Sequence, residues 1–229
     1  MPISGENNYC RCLLLAAAFV LSGSCYGATI YNVTLTTSAL ISNSAGPFAL
    51  DFQLTSGDTS TGVVNTASLS DFNFGSGGNA GVGSPFPNSG NASGSLGSGV
   101  SLNTNGSFFN EFSQYFTPGN QLTFQLTLTG NIQPSVPDEF SFQLIDATST
   151  EVPTSDPSGG DSVFLINIAN STPAAQIYST AGDGVTVTPV LSLVGSQAPE
   201  PSAALLAGAG FVLLGLVRRQ RGRISGNKS

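Results

Sequence analysis

Nearly all the side chains in this 229-residue chain that could do chemistry are carboxylates. Asp156 and Asp161 stand in "DPSGGD", Asp183 in "AGDG", and Asp71 with Asn73 in "SDFN". Oxygen ligands on glycine-rich turns suit hard cations, which makes Asp156, Asp161 and Asp183 the candidate calcium ligands. None of these stretches has the spacing of an EF-hand or of a glycine-rich nonapeptide repeat, and Asp beside Gly is also ordinary turn chemistry. The expectation is turns, with no metal and no cofactor.

Glycoside hydrolysis asks for two carboxyl groups about 5–9.5 Å apart across a sugar. Asp138 and Glu139 are adjacent, and on a strand they point to opposite faces. The chain has no His, the commonest general base, and no Trp. No catalytic residue is assigned, and a non-enzymatic protein is expected. Residues 29–198 contain no Lys or Arg against eleven Asp and Glu. Phosphates cannot be neutralised by such a segment, so nucleic acid is excluded as a partner. Its carboxylates must be solvated, bonded to backbone or hydroxyl donors, or bound to a cation. All three cysteines, Cys10, Cys12 and Cys25, precede it, which excludes a disulfide within it.

The two ends read as addresses. "CRCLLLAAAFVLSGSCYGA" places Arg11 before an apolar stretch from Leu13 to Leu21, then small residues up to Ala28. That is the layout of a secretory signal peptide. Cleavage after Ala28 would start the mature chain at Thr29, and cleavage after Gly27 fits equally well. "SGSC" resembles a lipobox but carries Ser22 where that motif wants Leu.

Near the other end stands "PEPS", residues 199–202. Pro199 and Pro201 lack a backbone N–H and hold φ near −65°, which keeps Glu200 out of a regular helix or central strand. From Ala203 to Val217 fifteen residues carry no charge. As a helix they span roughly 22 Å, short of the roughly 30 Å hydrocarbon core of a bilayer. Arg218, Arg219, Arg221 and Arg223 follow at once and would hold this end in the cytoplasm, leaving the body outside.

A Pro-Glu-Pro, a short apolar helix and an arginine cluster, in that order, resemble the tail of PEP-CTERM proteins. The resemblance implies that Pro199, Glu200 and Pro201 are the motif recognised by exosortase, a multi-pass membrane enzyme of exopolysaccharide-making Gram-negative bacteria. It implies Ala203 to Val217 as the transmembrane helix and the four arginines as its stop. The implied route runs across the inner membrane, through transient anchoring, to the cell surface or the extracellular matrix, with exopolysaccharide as a further partner. A plain single-pass anchor is the alternative.

Between the ends, apolar residues recur at every second position. Tyr31, Val33 and Leu35 do so, as do Phe48, Leu50, Phe52 and Leu54, then Leu122, Phe124, Leu126 and Leu128, then Phe140, Phe142 and Leu144. Such alternation puts one face of a strand in a core and the other in water. "VFLINI", residues 163–168, is apolar on both parities and predicts a strand covered on both faces. Turn signals such as "SNSAGP", "TPGN" and "DPSGGD" separate the runs. The fold class expected is all-β, an antiparallel β-sandwich of jelly-roll type, flanked by the signal helix and the short C-terminal helix.

The expected organisation is signal peptide 1–28, sandwich 29–188, linker 189–198, sorting and anchor segment 199–223, and cytoplasmic end 224–229, although Val185 with Val187, and Leu191 with Leu193, also suggest closing strands before the tail. Within the sandwich, the Gly, Ser and Asn-rich residues 75–107 read as a flexible surface excursion, with Leu96, Val100 and Leu102 hinting at a strand. "FFNEFSQYF", residues 108–116, spaces its aromatics nearly helically and predicts a short helix or turn plugging one end. Blocks such as "YNVTLTTSAL", "ALDFQLTSGD" and "YFTPGNQLTFQLTLTG" also resemble an uncharacterised group of PEP-CTERM proteins across residues 30–160. That likeness implies no activity. Carbohydrate binding or adhesion is the alternative function for the body, ahead of polymer hydrolysis.

Overall fold

The computed structural model describes residues 27–131, 136–169, 174–180, 182 and 184–197. Twelve strands run in chain order among them. They are β1 (Ala28–Thr36), β2 (Phe48–Thr55), β3 (Thr66–Asn73), β4 (Asn79–Ala80), β5 (Ala92–Ser95) and β6 (Gly99–Asn103). β7 (Phe109–Thr117), β8 (Gln121–Thr129), β9 (Asp138–Ile145), β10 (Phe164–Ile168), β11 (Ala175–Ile177) and β12 (Pro189–Gln197) complete the set. A single 3-10 turn, Ser38–Leu40, is the only helical element described.

The strands form two six-stranded sheets with all described pairings antiparallel. The first sheet has the order β12-β1-β8-β3-β6-β5, and the second β11-β10-β9-β2-β7-β4. Their apolar faces meet in one core, which joins Val33, Leu35, Leu126 and Leu128 of the first sheet to Leu50, Phe52, Phe142 and Ile166 of the second. Phe52 is the centre of a ring cluster that crosses between the sheets. It stacks on Phe142 at 5.1 Å within its own sheet and meets Phe124 of β8 edge-on at 5.6 Å. Aromatic pairs at such distances and tilts add to what their burial already contributes.

Alternation therefore decides the faces as the sequence predicts. β10 lies between β9 and β11 and is covered on both sides, with Phe164 and Ile166 at 0% exposure and Leu165 at 7%. Asp138 and Glu139 do separate, the first buried and the second half-buried on the outward side.

Three expectations are corrected. Residues 109–116 form a strand rather than a helix or plug, with Phe108 just before it, because β7 pairs along its length with β2, Phe52 opposite Phe112 and Phe48 opposite Phe116. Only Phe112 and Phe116 of its aromatics are buried, two strand repeats apart, while Phe108 and Phe109 stay exposed. Polar Asn110 and Gln114 take the remaining inward positions, which hid the two-residue period. Asn110 Nδ2 donates to Leu54 O, Gln114 Oε1 accepts from Leu96 N and Gln114 Nε2 donates to Gly81 O.

Residues 75–107 likewise contribute β4, β5 and β6 and bury Leu96, Val100 and Leu102 in the core. Glycine is required where β5 turns into β6, since Gly94 has φ +106° and a Cβ there would stand 2.1 Å from Gly99 O. Residues 189–197, expected as a linker, are strand β12 on the edge of the first sheet. No helix among the described residues is long and apolar enough to cross a membrane. The expected signal and tail helices lie outside those residues.

Phe52→Ala is expected to lower unfolding free energy by about 3–5 kcal/mol, because it opens a cavity between the sheets. Phe108→Ala, on an exposed ring, is expected to stay within about 0.5 kcal/mol of the parent. Urea unfolding of both variants checks the pair.

Candidate functional site

The outward face of the second sheet is polar to an unusual depth. Cross-strand register sets its side chains in rungs: Ser113, Asp51 and Gln143; then Glu111, Gln53 and Ser141; then Phe109, Thr55, Glu139 and Asn167. Asp51 is 0% exposed, although it faces away from the apolar core. Residues 84–88 lie over part of this face, with Ser84 Oγ 2.5 Å from Ser113 Oγ and Phe86 O accepting from Ser113 Oγ at 3.2 Å.

Gln53 Nε2 links two of the acids, donating to Asp51 Oδ2 at 2.8 Å and to Glu111 Oε1 at 3.3 Å. Asp51 Oδ1 and Gln143 Oε1, on neighbouring strands of one rung, are both buried acceptors without a donor. A buried carboxylate with no cation near it keeps its proton. Burial, with the charges of Glu111 and Glu151 adding to it, pushes the Asp51 carboxyl up to about 8 against the pull of Gln53. Burial also raises Glu111 and Glu139, the latter with help from Asp156.

A cleft of about 260 Å³ opens at the Thr55 end of this face, lined by Thr55, Ser56, Gly57, Phe108, Val136, Pro137, Glu139 and Asn167. Ser56 is 1% exposed and its Oγ has no partner, whereas Phe108 is 62% exposed. A larger and more enclosed cleft of about 340 Å³ lies elsewhere, between residues 70–74 and 96–99.

Inside the same end of the sandwich, Asp138 is held by Gly57 N at 2.9 Å, Asn65 Nδ2 at 3.0 Å and Thr104 Oγ1 at 3.2 Å. This is a structural clamp between the two sheets.

The candidate calcium ligands do other work. Asp156 accepts from Ser158 N at 2.9 Å and Ser162 N at 3.2 Å, and Asp161 accepts from Thr154 N at 2.9 Å. Burial alone would raise the Asp156 carboxyl, but the Ser158 and Ser162 donors outweigh it and hold it below its usual value. Among the described residues no group of three or more His, Cys, Asp or Glu is placed to hold a metal ion. Asp183 lies outside the described residues, as do Pro199, Glu200, Pro201, Arg218, Arg219, Arg221 and Arg223. Ala28, the expected cleavage residue, is the first residue of β1.

The sequence reading missed Asp51, Gln53, Glu111 and Gln143. In "ALDFQLT" the signal is present: Asp51 and Gln53 sit at the outward parity of a strand whose inward positions are Phe48, Leu50, Phe52 and Leu54. Which strands would flank it, and with what side chains, was not legible. No family model, curated protein or solved structure matches the chain.

Asp51 ties stability to pH. Its unfolded carboxyl ionises near 3.8 while the folded one keeps its proton to about 8, so the native state binds more protons in that window. The Asp51 contribution is complete below the lower value, falls by about 1.4 kcal/mol per pH unit across the window, and is gone once pH has risen through the upper one. Asp51→Asn cannot ionise and is expected to lose that slope in urea unfolding at pH 5, 7 and 9. Equal slopes in parent and variant would contradict the assignment.

Proposed function

We propose that the protein is an exported, non-enzymatic surface or matrix protein, delivered by its signal peptide and sorted through Pro199, Glu200 and Pro201 by exosortase. The observation that carries this reading is the extent of the fold. β1 begins at Ala28, β12 ends at Gln197, and the two strands pair with Ala28 opposite Gln197. The described strands thus run from one expected processing signal to the other. Ala28 and Gln197 lie side by side, so cuts before Thr29 and after Gln197 leave all twelve described strands in place.

The non-enzymatic part rests on the placement of the acids. Asp51 is closed off from solvent, Asp138 is used by three donors, and Glu139 points away from Asp138.

The strand order supports a finer reading of the architecture. β1-β8-β3-β6 opposite β2-β7-β4 follows the interleaved order of a jelly roll, with β5 returning to the first sheet and β9 to β12 widening both. Jelly rolls are a common architecture of lectin domains, and this favours a carbohydrate-contacting role as the second reading.

The mature C-terminus, read by mass spectrometry of native envelope and culture fractions, tests the sorting role. The parent is expected to have lost the Arg218, Arg219, Arg221 and Arg223 cluster. Glu200→Ala is expected to keep the cluster and stay with the membrane, with the body folded. A parent chain that still ends at Ser229 in every fraction would overturn the proposal.

A further inference from the structure

We propose that the cleft lined by Ser56, Phe108, Pro137, Glu139 and Asn167 is a binding subsite for one residue of an uncharged polysaccharide. The inference gives substance to the second reading above and does not depend on the sorting route.

A pyranose offers an apolar C–H face and a rim of hydroxyl groups, and the cleft offers a counterpart to each. Phe108, at 62% exposure, presents a ring face, and Val136, at 54%, extends the apolar wall beside Pro137. The Glu139 carboxyl accepts from hydroxyls, and the Asn167 amide both donates and accepts. Ser56 lines the cleft from beneath, its hydroxyl buried and without a partner within the protein, so the polar contacts to a sugar fall to Glu139 and Asn167. The volume of about 260 Å³ falls just below the roughly 300–1,000 Å³ typical of drug-sized sites, which leaves room for a single ring.

The cleft is also built to be stiff. Ser56 N donates to Phe108 O at 2.7 Å, and Gly57 N donates to Asp138 Oδ1 at 2.9 Å. Gly57 lies so close to the opposite wall that a Cβ would stand 2.1 Å from Val136 O. Walls held this way lose little freedom when a ligand enters, which favours affinity.

Charge selects among glycans. Residues 29–198 carry no Lys or Arg, and Asp156 lies near enough to Glu139 to act on its carboxyl. A uronate or sulfated sugar would meet only like charge and no compensating cation. The ligand class is therefore neutral, a hexose polymer rather than an acidic one.

The test is isothermal titration calorimetry on the full chain in a detergent without a sugar headgroup. The probes are oligosaccharides of about four to six residues from β-glucan, mannan and galactan, with oligogalacturonate as the anionic comparison. At least one neutral probe is expected to bind with Kd of about 0.1–1 mM, and oligogalacturonate is not. Phe108→Ala and Asn167→Ala are each expected to weaken that binding about fivefold, the worth of one lost contact. Ser98→Ala, in the other cleft, is expected to leave it unchanged. The exposure of Phe108 keeps its variant folded, and circular dichroism checks both variants. No binding of any neutral probe at about ten times that concentration overturns the proposal. So does binding that neither variant weakens, or a preference for oligogalacturonate.

Discussion

Phe52 holds the two sheets together, and the direction in which it points fixes the direction of everything beside it. Its ring meets Phe142 and Phe140 in its own sheet and Phe124 and Phe72 from the other. Successive side chains on a strand alternate, so placing Phe52 inward puts Asp51 and Gln53 outward. A shift of one residue would send an acid and an amide into the apolar interior, at a cost of several kcal/mol. The ring cluster thus determines the polar outward face as firmly as it determines the core.

That face has to exist without cations. Each buried acid meets the difficulty in its own way, according to the donors within reach. Asp138 gathers donors from Gly57, Asn65 and Thr104. Asp156 closes its own loop through the Ser158 and Ser162 amides. Asp51 has one amide donor, shared with Glu111, and keeps its proton instead. A Lys or Arg beside any of them would have offered a salt bridge, and residues 29–198 contain neither. An acidic body of this kind stays soluble among anionic polymers and resists adhering to them. An exported matrix component that meets neutral glycan in a small cleft fits that surface.

The glycine-rich segment 75–107 is held by amides rather than by grease. Asn110 accepts from Asn91 N, Asn91 Nδ2 donates to Asn105 O, and Gln114 bonds to Leu96 and Gly81. These bonds fasten a segment with few apolar residues to β7, and only Leu96, Val100 and Leu102 reach the core. At the opposite edge β12 covers β1, so the strand carrying the N-terminal junction is interior to the sheet. The sheet borders are mostly short strands, β4, β5 and β11, which limits the free backbone available for unwanted pairing.

Several features were settled by the sequence alone. Strict alternation in β1, β2, β8 and β9 dictated an all-β body and named its core residues, because a two-residue period has only one way to bury its apolar half. The lack of Lys and Arg in residues 29–198, and of His throughout, argued against nucleic acid and common catalytic devices by composition. Other features waited for the tertiary structure. "FFNEFSQYF" reads as a helix until β2 supplies the ladder that makes Asn110 and Gln114 inward clamps. Residues 75–107 read as a loop until β7 and β3 give them partners, and 189–197 read as a linker until β1 does. Asp51 becomes a neutral acid, and Phe108, Glu139 and Asn167 become one cleft, only through strands far apart in the chain. Local pattern encodes which way a side chain faces; what it faces is set by long-range pairing, and that is where burial, proton affinity and shape are decided.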